Sequence, residues 1–420
     1  MRRVVPIVLA GLVLAVGGSG SAAGAAAGSD WPTFNGNSAR TGYLASTGIT
    51  AANVAALRRQ QVQLPGTLDS TPIYLHGVTV AGKAHDVFFA TTTYGRTVAV
   101  DAASGRILWT YTPPGYASWA GSYRITNMPP TADPSRKYVY AGAPDGKIRK
   151  LAVSNGHQLW ATAITRLPER EKLAAGLNVD GGTVIAATDG YIGDQPPYQG
   201  HVVLLNAVTG RIRSVWNSLC SDRPALLVPA SCPESDSAIW ARSGVVVEPA
   251  SHRLLFATSN AHFDGRTYWA DSVIELSPDA KTITRHWTPT DFQQLGDADL
   301  DLGSTGPALI DGDYFVQGGK DGKLRLLRLS TLPGDNPRTG GELQTVPTPG
   351  STDLFSEPFA WQGKWVFVAD QAGTDAWRFS GGRLHKGWSN GTPGTSPLVA
   401  GGLLYVYDLT GGGLKVYAPA

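Results

Sequence analysis

Short apolar runs broken by glycine-bearing turns recur along this chain, and one such unit repeats. In residues 98–109 (Val-Ala-Val-Asp-Ala-Ala-Ser-Gly-Arg-Ile-Leu-Trp) a strand ends near Asp101, turns at Gly105 and returns to Trp109. The same strand, turn and tryptophan reappear with Gly156 and Trp160, and again with Gly210 and Trp216. The turn glycines lie 51 and 54 residues apart, a period that belongs to propeller blades rather than helical solenoids.

Strand-like stretches group in fours from Thr71 onward and predict an all-β chain, a single β-propeller of seven four-stranded blades. The last group, Pro397–Val399, Leu403–Tyr407 and Gly413–Tyr417, is one strand short. The alternating run Leu57–Leu64 is expected to supply it by pairing with Leu414–Tyr417, closing the ring with an N-terminal strand and removing open sheet edges. Eight blades is the alternative, with the extra strands in Trp31–Tyr43 or in 217–240. Ser70-Thr-Pro, Ser304-Thr-Gly-Pro, Ser356-Glu-Pro and Ser396-Pro each open a first strand, where proline is tolerated. They ring one mouth of the channel or serve only as turns.

Arg2 and Arg3, the apolar stretch Val4 to Val16 and the small residues Ala25-Ala26-Ala27 read as a signal peptide over 1–27, cleaved near Ala27. The expected organisation is then an entry segment over 28–56 and the propeller over 57–420. No later segment approaches the ~20 apolar residues of a membrane span, and no cysteine follows the leader's apolar stretch. The expectation is a secreted, periplasmic or otherwise extracytoplasmic monomer. Without Arg2 and Arg3, basic and acidic residues balance at 33 each, leaving no electrostatic case for binding nucleic acid. In an exported chain Cys220 and Cys232 read as one disulfide worth ~3 kcal/mol, with a redox pair or metal site as the alternative.

Familiar catalytic motifs are absent from the mature chain: there is no GxSxG, no HExxH and no P-loop. One acidic cluster stands out, Asp297-Ala-Asp299-Leu-Asp301. As a calcium-binding EF-hand loop it fails, with Leu302 at the glycine position and Ala308 at the bidentate glutamate position. Carboxylates at alternate positions repel one another and call for a cation, a basic partner or raised pKa values. Lys320, in Gly318-Gly-Lys-Asp-Gly322, is the candidate partner; a solvated turn with capping aspartates is the plain alternative.

With these residues in hand, the chain resembles the quinoprotein (PQQ-type) β-propellers. The element from Asp101 to Trp109 is similar to their WD-like blade motif, with Ser104 in the threonine place. Asp30-Trp-Pro-Thr-Phe-Asn-Gly and Ile49 ahead of Asn53-Val54 are similar to their entry segment. The resemblance implies a site for PQQ with Ca²⁺ or a lanthanide at the channel mouth. It places Trp240 under the quinone and Lys320 at the quinone carbonyls. Asn260 and Asp301 would hold the metal, and Asp301, or Asp299, would be the catalytic base. The chain departs from that pattern in several places. Cys220 and Cys232 are not vicinal, an apolar residue near Ile192 stands where a metal-binding glutamate is expected, with Asp189 and Asp194 only nearby, and no CxxCH haem site is present.

Fold constrains function loosely. The leading expectation is a binding module that takes a small-molecule ligand or an extracytoplasmic protein partner at the channel mouth, without redox turnover and with no cofactor. The alternative is a PQQ- and metal-dependent alcohol-type dehydrogenase, and a further alternative is an envelope assembly scaffold.

Overall fold

The computed structural model describes residues 28–334 and 338–420. The expected leader and its cleavage point near Ala27 lie outside them. Seven four-stranded sheets form the blades of a propeller, antiparallel but for one strand. Blade one runs Ile73–Val80, Lys83–Thr91, Thr97–Asp101 and Ile107–Tyr111 from channel to rim. The innermost strands of blades two to six are Thr131–Ala132, Asn178–Asp180, Val246–Val247, Ala308–Leu309 and Phe359–Trp361, and Leu398–Ala400 is the first of the three strands that the end of the chain gives to blade seven. Apolar side chains of alternate strand positions join each blade to the next, as Ile73, Val87 and Phe89 of blade one join Val139 and Leu151 of blade two.

The repeated glycine and tryptophan are one joint. Gly156 and Gly210 both sit at φ 72°, a left-handed turn that favours glycine. A β-carbon on Gly156 would lie 2.7 Å from the ring of Trp109, and one on Gly210 2.6 Å from Trp160. Each tryptophan thus rests on the bare turn of the following blade. The indole of Trp109 also donates to the carbonyl of Val153 there, at 2.8 Å.

The ring closes differently from the sequence expectation. The strand that completes blade seven is Tyr43–Leu44, parallel to Leu398–Ala400 on its channel edge; Leu57–Leu64 does not pair with Leu414–Tyr417. Residues 57–64 pair with no strand. Val62 and Leu64 cover Ala90, Val98 and Val100 of blade one instead, while Leu57 stays exposed. The physical reason is that the innermost strands carry unmet backbone groups toward the channel, and the entry segment meets them first. Trp31 exchanges two backbone bonds with Tyr74, Pro32 accepts from Ala132, Ser38 from Val247, Gly42 from Val399 and Leu44 from Gly401. Residues 31–44 therefore fill the channel as a plug. Neither segment considered for an eighth blade forms one: 31–43 lies in this plug, and 217–240 is a loop bridged by Cys220–Cys232.

Arg40 anchors the plug. Its buried guanidinium donates to the carbonyls of Ser243 (2.8 Å), Phe34 (2.9 Å), Leu177 (2.8 Å) and Gly176 (3.4 Å), and to the hydroxyl of Thr33. Buried Glu357 accepts from the amides of Ser243 (2.9 Å) and Gly306 (2.7 Å), and its charge partly offsets the burial that lowers Arg40 to about 9. Arg40 is therefore charged at neutral pH. Arg40→Met is expected to cost about 3–5 kcal/mol, because it strands several buried acceptors and the Glu357 charge. Urea denaturation followed by circular dichroism checks this. The same experiment on Arg40→Met/Glu357→Gln should recover part of the loss.

Candidate functional site

Above the plug, the channel opens into a cavity of about 450 Å³. Its lining follows the repeat. Asn127, Ala174, Arg242, Ser304 and Phe355 each stand four residues before the innermost strand of blades two to six. A second tier comes from the turns that leave the second strands: Asp189 in blade three, Ser259 and Asn260 in blade four, Lys320 in blade five. Serines at the strand entries tie neighbouring blades around this mouth. Ser304 donates to the carbonyl of Leu354 at 2.7 Å, and Ser396 accepts from the amide of Glu357 at 2.9 Å.

All five site residues expected from the sequence, Trp240, Asn260, Asp299, Asp301 and Lys320, line this one cavity. The Trp240 indole donates to Ser259 Oγ at 2.7 Å, and its ring packs against Phe355 at 6.0 Å between centroids. Two contacts therefore fix the ring's orientation. Asp301 is held at both ends: the backbone N–H of Asn260 donates to Oδ1 at 3.1 Å, and the Lys320 ammonium lies 2.6 Å from Oδ2. The backbone amide of Lys320 also donates to the carbonyl of Asp301 at 3.0 Å, so lysine and aspartate are joined twice. Asp299, in a left-handed conformation at φ 54°, turns its exposed carboxylate back to the same ammonium at 3.1 Å. Burial raises the pKa of Asp301, against the pull of Lys320. Lys320 is raised in turn, the two aspartates outweighing its own burial.

The geometry does not suit a divalent cation beside Asp301. A calcium-like cation there needs six to eight oxygen ligands, carboxylates among them. Among the described residues no group of three or more His, Cys, Asp or Glu is placed to hold a metal. The Lys320 ammonium already bridges the two carboxylates, and a dication within 4 Å of it would meet a repulsion of ~8 kcal/mol at an effective dielectric of 20. The quinone position fares better, since Trp240 and Lys320 share one wall with Nζ 5.7 Å from the ring.

Sequence reasoning missed the opposite wall. Glu171–Lys172 pairs with Asp189–Gly190 in a two-stranded ribbon that brings Lys172 and Asp189 into the cavity side by side. Lys172 is nine-tenths buried and makes no hydrogen bond or ion pair among the described residues. Behind the ribbon, Glu171 lies 3.0 Å from buried His201. Farther along the same loop, Tyr198 donates to Asp194 at 2.7 Å. The signal that places Asp189 in the cavity is its register, since it stands two residues past a second strand, as Ser259 does.

Comparisons with known proteins agree with this architecture. A family model described as outer membrane protein assembly factor BamB matches residues 50–225. The dehydrogenase subunit of a quinone alcohol dehydrogenase from Komagataeibacter europaeus is 23% identical over 65% of this chain and 42% of its own length. A quinohemoprotein alcohol dehydrogenase from Pseudomonas putida is 24% identical over 71% of this chain and 47% of its own. The chain thus spans less than half the length of these curated relatives. Among solved structures, the quinohemoprotein alcohol dehydrogenase from Comamonas testosteroni superposes with a TM-score of 0.68 at 16% identity, covering 95% of this chain and 72% of that one. A europium-containing methanol dehydrogenase gives 0.57 at 14% identity, covering 90% and 89%. At such identities the likeness shows the fold.

Burial lifts Asp189 to about 7, against the pull of Lys172. An aspartate raised in the folded state binds its proton more tightly there than in the unfolded chain, so stability falls as pH rises from about 4 through 7. Asp189→Asn should remove that loss. Denaturant titrations should show the variant more stable than the native protein at pH 8, by up to ~4 kcal/mol, with the difference vanishing near pH 4.

Proposed function

We propose that this PQQ-like β-propeller repeat protein binds a small-molecule ligand at the open mouth of its channel, without redox turnover, in an extracytoplasmic compartment where the Cys220–Cys232 bridge persists. One observation carries the reading: turns of two successive blades, four and five, bring an oriented aromatic face, an amide and a neutralised carboxylate pair into a single cavity. A mostly apolar cavity with one fixed ring and a few convergent polar groups is the usual form of a small-molecule site. Trp240 would provide the platform, and Asn260 and Arg242 would orient the ligand's polar groups. Among the described residues no helix is long and apolar enough to cross a membrane.

A second reading, a PQQ-dependent dehydrogenase, is favoured by the shared placement of Trp240 and Lys320. In it Asp301 would take a proton from the substrate, yet its Oδ2 is already engaged by Lys320. That engagement is why binding without turnover is preferred.

A thermal-shift screen of small molecules against the native protein and Trp240→Ala tests the binding reading. Ligands that stabilise the native protein should bind the variant about tenfold more weakly, with its β-sheet circular dichroism retained. Dye-linked assays with PQQ, Ca²⁺ and primary alcohols should show no sustained reduction; continuous turnover would put the dehydrogenase reading first.

A further inference from the structure

One charge in the mouth is unanswered. Lys172 is 7% exposed, lines the cavity, and makes no hydrogen bond or ion pair among the described residues. A lysine so buried is nearly always paired, because an ammonium taken out of water without a partner is costly. The carboxylates around it are committed elsewhere. Asp299 and Asp301 hold Lys320, and Asp194 accepts from Tyr198 at 2.7 Å. Asp189, its register partner on the ribbon, accepts from the amide of Gly190 at 2.6 Å and feels Lys172 only through space. Glu171 points to the other face of the ribbon. There it takes the amide of Gln199 at 3.1 Å, the hydroxyl of Thr165, and His201 at 3.0 Å. A second group is also unmet: Asn127 Oδ1 is buried at the cavity wall with no hydrogen-bond partner among the described residues.

We propose that Lys172 is an anion anchor and that the ligand of this mouth is a small organic acid, its carboxylate on the ammonium and its flat apolar body toward Trp240. Three cations line the cavity. Lys320 holds two aspartates and Arg242 donates to the carbonyl of Asp69 at 2.7 Å, which leaves Lys172 to meet a charge brought from outside. An ammonium paired with a carboxylate makes a charge-assisted hydrogen bond, stronger than a neutral one. The rest of the ligand is set by the lining, where Ala174, Ala238, Ile192 and Phe355 offer no charge and Asn127 takes one polar substituent. The identity of the ligand rests on the mouth being a small-molecule site. The unmet charge of Lys172 does not, so the two statements can fail separately.

The native full chain, Lys172→Met, Lys172→Arg and Asp189→Asn are compared at fixed ionic strength. Isotope-labelled formate is followed by NMR line broadening, and indole-3-acetate and indole-3-acetamide by calorimetry. Formate should bind the native protein, Lys172→Arg and Asp189→Asn, and its binding should be lost in Lys172→Met. The native protein should prefer the indole acid over its amide on the order of tenfold, and Lys172→Met should bind the two within about twofold of each other. Formate that binds Asp189→Asn but not the native protein overturns the proposal, because Asp189 is then the counter-ion of Lys172. Acid and amide bound alike by the native protein overturn the anchor and leave the small-molecule reading standing. Lys172-dependent formate binding with neither indole compound bound keeps the anchor and overturns the flat body together with the role of Trp240. If Lys172→Met does not fold, Lys172→Gln takes its place, and the native preference for acid over amide still decides.

Discussion

Trp109 lies against Gly156 and Trp160 against Gly210, each ring filling the space where a β-carbon would come within 2.7 and 2.6 Å. This contact is local, but the ring inherits its geometry. A bulky side chain that can rest only on bare backbone sets the distance and tilt between neighbouring blades. In the first blades that tilt helps to set how each sheet meets the next. The joint belongs to this part of the ring; the outer strand of blade five, Gln344–Pro347, has no tryptophan. In blade four the turn residue is Ala280, also in a left-handed conformation at φ 55°, and it shares an apolar cluster with Trp216.

The repeat was legible because the same joint must be written into each blade that uses it, and glycine with tryptophan is a rare enough pair to be seen. Strand grouping and blade number followed from it. The closure was not legible, because it depends on backbone groups rather than on side-chain alternation. Leu57–Leu64 looks like a strand and finds only a patch of blade one to cover, whereas Tyr43–Leu44 has no strand-like pattern and completes a sheet. Trp240, Asn260 and Lys320 were found through a family pattern, and their meeting in one cavity follows from their place in successive blades. Lys172 was missed because its ribbon with Asp189 has no counterpart in the other blades, and Asp189 was read only as a neighbour of Ile192.

Charge is handled in two contrasting ways along the axis. At depth, Arg40 is surrounded by carbonyls and only distantly offset by Glu357, so its cost is met by hydrogen bonds that span the blades. At the mouth, Lys320 is paired directly with two carboxylates. The first arrangement holds elements together. The second balances a local excess of negative charge while leaving the cavity open.

The plug also bears on traffic along the axis. Residues 31–44 are bonded to the innermost strands of blades one, two and four and to blade seven, so the channel is crossed by chain and is not an open tube. A molecule could pass from one face of the ring to the other only by breaking backbone bonds to several blades at once, and those same bonds hold the blades together.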